Sequence, residues 1–154
     1  MSSDQGSIGP NSNNSRANGN GEHKASILLV DDEYDIVKLI SRSLQRYDVV
    51  KVCAFTDAIE ALQHFSSNSN SSSNDYHHHS LVISDIRMPS MNGYEFVKQI
   101  KKIDSQAKII LMSAFEIEDK EFRNVLPDIK VDGFLQKPFS LNELKSIVYE
   151  KIIQ

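Results

Sequence analysis

Four short apolar runs in this 154-residue chain each lead to a polar side chain at or just beyond their downstream end. Ile27 to Val30 runs into Asp31-Asp32-Glu33, Leu81 to Ser84 into Asp85, and Lys108 to Met112 into Ser113, while Val131 to Leu135 is followed by Lys137-Pro138. Singly, each has an ordinary explanation: Asp32 as a helix N-cap, Asp85 as a turn residue, Ser113 as a cap, Lys137 as a solvated charge. Jointly they describe a site. Three carboxylates converging in one crevice repel one another unless a cation or raised pKa values relieve them. A hard ion such as Mg²⁺, held by a few carboxylates with water completing its octahedron, answers that need. An ammonium and a hydroxyl alongside suit an anion, Lys137 as a point charge and Ser113 as a hydrogen-bond donor to a phosphoryl oxygen. A carboxylate beside Mg²⁺ is also a competent nucleophile, and phosphoryl transfer to it yields an aspartyl phosphate.

Such convergence requires strands that end at one edge. Ile27 to Val30, Val49 to Phe55, Leu81 to Ser84, Lys108 to Met112 and Val131 to Leu135 are short and rich in Val and Ile, as strands covered on both faces should be. Helical periodicity lies between them. Ile36, Val37, Ile40, Leu44 and Tyr47 share a face, as do Phe96, Val97, Ile100 and Ile103. The last helix opens on a capping box, Ser140-Leu-Asn-Glu143, and turns Leu144, Val148 and Ile152 inward. Five strands alternating with helices predict an α/β fold, a doubly wound parallel sheet with helices on both faces. The ligand crevice of such sheets lies beyond the carboxyl ends of the strands, where these polar residues fall.

Composition narrows the function. Seventeen basic and 21 acidic residues give a net charge of -4 with no basic stripe, so direct nucleic-acid binding is not expected. No apolar run approaches the roughly 18 to 20 residues of a membrane span, and the start lacks a signal-peptide pattern, which leads us to expect a cytoplasmic protein. The single Cys53, inside an apolar run, is expected to be a buried small hydrophobe. Residues 1–24 are Ser, Asn and Gly with little apolar content and read as a disordered tail ahead of a domain over 25–154. A Ser/Asn run makes 66–79 a low-complexity loop insertion. It ends in His77, His78 and His79, a triplet able to bind a transition metal but read as solvated and assigned no role.

Four motifs in this order resemble the receiver domain of two-component response regulators: Asp31-Asp32-Glu33, Ser84-Asp85-Ile-Arg-Met88-Pro89 with Gly93 eight residues past the aspartate, Met112-Ser113-Ala114, and Lys137-Pro138-Phe139. The likeness covers about Ala25 to Gln154. It implies a flavodoxin-like five-stranded sheet of order 2-1-3-4-5, with Asp85 as phosphoacceptor. It further implies that Asp31, Asp32, Asp85 and the backbone carbonyl of Arg87 hold Mg²⁺, with Mn²⁺ as a substitute. Ser113 and Lys137 would bind the phosphoryl group, and Ser113 and Phe134 would form the switch. Phe134 stands where Tyr is frequent, so its coupling would run through packing alone. By resemblance the chain is a single-domain response regulator, not an enzyme beyond transfer to and hydrolysis from its own Asp85. Its phosphoryl donor would be a sensor histidine kinase or a phosphotransfer protein. Ending at Gln154, the chain is expected to act by docking to a partner protein in a phosphorelay, with homodimer formation left open.

Two features depart from the usual pattern. One is the 66–79 insertion. The other is 115–130, expected as the fourth helix, where Pro127 should end any helix near Leu126 and leave an irregular approach to the fifth strand. The competing class is a Mg²⁺-dependent phosphohydrolase of the haloacid dehalogenase type. That chemistry wants a second acid two residues past the nucleophile, and Arg87 stands there. A degenerate scaffold receiver is disfavoured by the complete site set, and no phosphate-binding Gly-rich motif is present.

Overall fold

The Val- and Ile-rich runs form β1 (Ala25–Val30), β2 (Val50–Phe55), β3 (His79–Asp85), β4 (Ile109–Ser113) and β5 (Gly133–Gln136). Between and after them lie helices α1 (Tyr34–Gln45), α2 (Ala58–Ser69), α3 (Gly93–Ile103) and α4 (Leu141–Ile153). The computed structural model describes residues 24–46, 50–69, 79–114 and 123–153. The expected tail, apart from Lys24, lies outside the described residues. Every strand pair is parallel, and the order is β2-β1-β3-β4-β5, as the resemblance implies.

The sheet separates two cores because successive strand residues face opposite sides. Leu28, Val30, Val82, Ile109 and Leu111 pack with Phe65 of α2 and with Phe96, Val97 and Ile100 of α3. Ile27, Leu29, Leu81, Ile83, Ile110 and Met112 face Val37, Ile40 and Leu44 of α1 and Leu144 and Val148 of α4. Each fully buried Leu, Ile or Phe contributes about 1.5–3 kcal/mol, so these two layers, rather than any single cap, hold the fold. Caps set the helix starts. Asn92 accepts from the Glu95 N–H at 2.9 Å, and Asp57 from the N–H groups of Ile59 and Glu60 at 2.9 and 3.0 Å. The predicted capping box closes both ways: the Ser140 N–H donates to Glu143 at 2.7 Å, and the Glu143 N–H donates to the Ser140 hydroxyl at 3.1 Å.

Several expectations need correction. The 66–79 loop is shorter than predicted at both ends. Helix α2 continues to Ser69, anchored by buried Phe65, with the Ser67 and Ser69 hydroxyls donating to the Gln63 and Phe65 carbonyls, each at 2.9 Å, within the helix. At the far end His79 is a buried strand residue, not a solvated one. Residues 70–78, with His77 and His78, lie outside the described residues, as do Tyr47 and residues 115–122. Cys53 is half-buried rather than buried, since β2 is an edge strand. Ile103, the last residue of α3, is 38% exposed because no further turn covers it. β5 starts at Gly133, not Val131. Asp132 instead meets the start of β4 with both its backbone and its side chain: its N–H donates to the Ile109 carbonyl at 2.7 Å and its carboxylate accepts from the Ile109 N–H at 2.8 Å. Near Pro127 the helical turn at 123–125 gives way to a bend at Leu126, as proline chemistry predicts.

Gly93 ties the fold to the crevice. Its N–H donates to the Ile86 carbonyl at 2.7 Å, so α3 starts directly against the end of β3. A Cβ at Gly93 would collide with the Asp85 carbonyl oxygen and sit 2.7 Å from the Ile86 Cα, both backbone atoms that cannot rotate away. Gly93→Ala is therefore expected to cost about 2–3 kcal/mol in urea unfolding, at the upper end for overpacking. A loss below about 0.5 kcal/mol would show that the β3–α3 junction yields freely.

Candidate functional site

Strand register sets the site. Val30 pairs with Ser84, which sets Asp31 beside Asp85; Asp85 pairs with Met112 and Ser113 with Gln136, so Ser113 and Lys137 follow one and two positions further out in a staggered row. Backbone bonds fix that row beyond the ladders. The Asp31 N–H reaches the Phe55 carbonyl at 3.2 Å, the Ile86 N–H the Met112 carbonyl at 3.1 Å, and the Lys137 N–H the Ser113 carbonyl at 2.7 Å.

In this row Asp31 is fully buried, Asp85 nearly so, and Asp32 exposed; one oxygen from each lies within 4.8 Å of the others. The Lys137 ammonium spans the group at 2.6 Å from Asp31, 3.4 Å from Asp85 and 3.6 Å from Glu33. The remaining Asp31 oxygen accepts from the Glu33 N–H at 2.9 Å, which turns the chain into α1, and Asp85 accepts from the Ile86 N–H at 2.9 Å. Ser113 is buried at the end of β4, and Phe134 is half-buried on β5 against the core shared with α2 and α3. A cleft of about 560 Å³ opens alongside, lined by Asp32, Arg87, Asn92 and Tyr94 among others. Glu33 belongs to the charged group although sequence reasoning gives it no role; its position next to the acidic pair is the available signal.

Electrostatics follow from this geometry. Burial pushes the Asp31 carboxyl above the ordinary 3.8, with the Lys137 hydrogen bond pulling the other way. Asp85 is raised first by burial and then by the charge of Asp31, again opposed by Lys137. Burial alone would lower Lys137, but the hydrogen bond and charge of Asp31, with Asp85 and Glu33 behind it, hold it above the ordinary 10.5. The donor set is hard oxygen, two of its three carboxylates taken out of water, and it fits a Mg²⁺-class ion better than a soft metal.

An all-parallel sheet of this order with an acidic trio and a lysine at its carboxyl edge defines the class of two-component receiver domains. Comparison with known proteins agrees. The family model described as "Response regulator receiver domain" matches residues 27–149, and the chain belongs to that family. It is 33% identical over 131 residues to the sensor kinase CckA of Brucella abortus, which covers 83% of this chain and 12% of that protein. It is 31% identical over 125 residues to the alkaline phosphatase synthesis transcriptional regulatory protein PhoP of Bacillus subtilis, covering 79% of this chain and 46% of that protein. The chain thus spans less than half the length of these curated relatives. Among solved structures, the response regulator TrrA of Thermotoga maritima, in complex with Mg²⁺ and BeF, is 30% identical with a TM-score of 0.66, covering 82% of this chain and 98% of that one. No helix among the described residues is long and apolar enough to cross a membrane.

Three outcomes follow for the metal-free protein. With Asp31 and Asp85 raised, the native state binds protons more tightly than the unfolded chain. Stability should fall as pH rises from 3.8 through their native values, and Mg²⁺ affinity should climb over the same window. Asp85→Asn should accordingly stabilise the metal-free form at neutral pH by about 1 kcal/mol while abolishing much of the stabilisation by Mg²⁺. Thermal unfolding with and without Mg²⁺ measures both effects of Asp85→Asn, and an unchanged or lowered midpoint for the metal-free variant would contradict the repulsion. Lys137→Ala leaves Asp31 buried without its cation. It should cost about 2–3 kcal/mol without metal, with Mg²⁺ restoring most of the loss; a loss that Mg²⁺ does not restore would make the lysine purely structural.

Proposed function

We propose that Asp85 accepts a phosphoryl group from a phosphohistidine donor, a sensor histidine kinase or a phosphotransfer protein, and that the modified domain signals to a partner protein. The observation carrying this reading is the meeting of Asp31, Asp32 and Asp85 within 4.8 Å under a lysine that reaches two of them. In the transfer an Asp85 carboxylate oxygen forms the new O–P bond as the N–P bond of the donor breaks, and the released imidazole nitrogen takes a proton from solvent. Asp31, Asp32, Asp85 and the Arg87 carbonyl would hold Mg²⁺ or Mn²⁺, which when bound offsets the negative charge of the transferring group. The Mg²⁺ and BeF complex of the 30% identical Thermotoga maritima regulator supports a site of this chemistry.

Lys137 performs the exchange that makes the site a switch. Before transfer its ammonium is committed to Asp31 at 2.6 Å; afterwards the phosphoryl oxygens compete for it. Ser113, one strand away, donates its hydroxyl to the same group. The Ser113 carbonyl holds the Lys137 N–H, so movement at either residue is transmitted to β5 and to Phe134, which couples by packing because it has no phenolic hydroxyl. Attack of water on phosphorus then returns Asp85 to its carboxylate, the only turnover proposed.

Acetyl phosphate with Mg²⁺ is expected to label the protein once, in a hydroxylamine-labile bond lost in Asp85→Asn. Label that persists in that variant would overturn the assignment. Steady-state phosphate release from a small phosphomonoester separates this reading from a phosphohydrolase: a receiver shows no sustained turnover, and sustained release would favour the enzyme.

A further inference from the structure

A second set of ligating side chains, chemically unlike the carboxylates, lies on the α2 side of the sheet. Cys53 of β2, His64 of α2 and His79 of β3 bring one sulfur and two ring nitrogens within 4.8 Å of one another. The rings are held by packing: His64 lies 5.1 Å from Phe55 and 5.3 Å from His79 between centroids, and His79 stacks on Phe65 at 5.9 Å. His79 is 6% exposed, while Cys53 and His64 are half-buried and within reach of solvent.

Hydrogen bonds orient both imidazoles. Ser26 Oγ lies 2.9 Å from His79 Nδ1 and is placed to accept its proton, the tautomer that keeps the lone pair on Nε2. That is the arrangement of a metal-ligating histidine, whose other ring nitrogen is tied to a neighbouring acceptor. The Asn68 amide lies 3.1 Å from His64 Nε2; with its oxygen turned to accept the Nε2 proton, the lone pair is left on Nδ1 for a ligand role. Burial, then the charge of Lys51, lowers the His64 pKa, which favours the neutral imidazole that a metal requires.

We propose that Cys53, His64 and His79 form a three-ligand site for a Zn²⁺-class divalent ion, separate from the carboxylate crevice. One thiolate and two imidazoles suit a borderline-soft metal and are a poor match for Mg²⁺. In a tetrahedral site of this composition the ligand atoms stand about 3.3–3.6 Å apart. The present atoms lie within 4.8 Å of one another, so binding requires half-buried Cys53 and His64 to close in by side-chain rotation. Binding deprotonates Cys53, the proton going to solvent, and water takes the fourth position. The ion would tie the edge strand β2 to α2 and to the first residue of β3, on either side of residues 70–78, and so stabilise that half of the sheet.

Cobalt titration of the full chain tests this directly. Cys53 is the only cysteine, so any thiolate-to-Co²⁺ charge-transfer band must come from it. With Mg²⁺ in excess to occupy the carboxylates, Co²⁺ should raise that band and tetrahedral d–d bands, saturating at one equivalent and displaced by Zn²⁺. Cys53→Ser should abolish the charge-transfer band. His64→Gln, a change at a half-exposed helix position that spares the fold, should weaken Co²⁺ binding by at least about tenfold. No thiolate band at one equivalent, or an undiminished affinity in His64→Gln, would overturn the proposal.

Discussion

A fully buried carboxylate is costly unless a cation accompanies it, and Asp31 meets that condition through a single ammonium brought from the far side of the sheet. Much else in the domain follows from this contact. Asp31 follows the first strand and Lys137 the fifth, 106 residues later, so the ion pair forms only when β1, β3, β4 and β5 stand in register. Asp85, inserted between them on β3, turns one ion pair into an overloaded cluster: two buried carboxylates share one lysine. The site is held in place by the sheet yet remains electrostatically unsatisfied, the condition in which added positive charge has most effect.

That imbalance gives the proposed switch its direction. A cation relieves the carboxylates; a phosphoryl group on Asp85 then supplies acceptors that compete for the lysine. Since Lys137 is bonded through its backbone to Ser113, the redistribution is felt first at the ends of β4 and β5. A packed sheet deforms little in its centre, where Ile27 to Val30 and Ile109 to Met112 are inaccessible to solvent. The half-buried residues around β5, including Phe134, have the room to respond.

Much of this is legible in the sequence because strand ends are where hydrophobic periodicity stops and chemistry begins. Asp31, Asp85, Ser113 and Lys137 each follow an apolar run closely, and a parallel sheet brings such positions to one edge. Less legible are features that depend on side chains replacing backbone partners. Asp132 takes over the first pairing positions beside β4, which delays β5 by two residues relative to the apolar pattern. Burial of Phe65 anchors the end of α2, whose serine hydroxyls turn back onto helix carbonyls, so a stretch that reads as loop by composition remains helical to Ser69. His79 reads as one of a histidine triplet, but a register shift between the Ser26–His79 and Ile27–Leu81 pairs turns it to the α2 side of the sheet, opposite Leu81 and Ile83, where Ser26 and Phe65 receive it. Edge position, invisible without the strand order, explains the partial exposure of Cys53.

The central claim is that events at the carboxylates are transmitted to β4 and β5 through Lys137. Backbone amide NMR shifts on adding Mg²⁺ with beryllofluoride, a phosphoryl mimic, test it most directly. Transmission through the lysine predicts changes that begin at Asp31 and Asp85 and extend through Ser113 to Phe134 and Lys137, and that shrink on β5 in Lys137→Ala. Shifts confined to the ends of β1 and β3, or equally large on β5 in that variant, would contradict it.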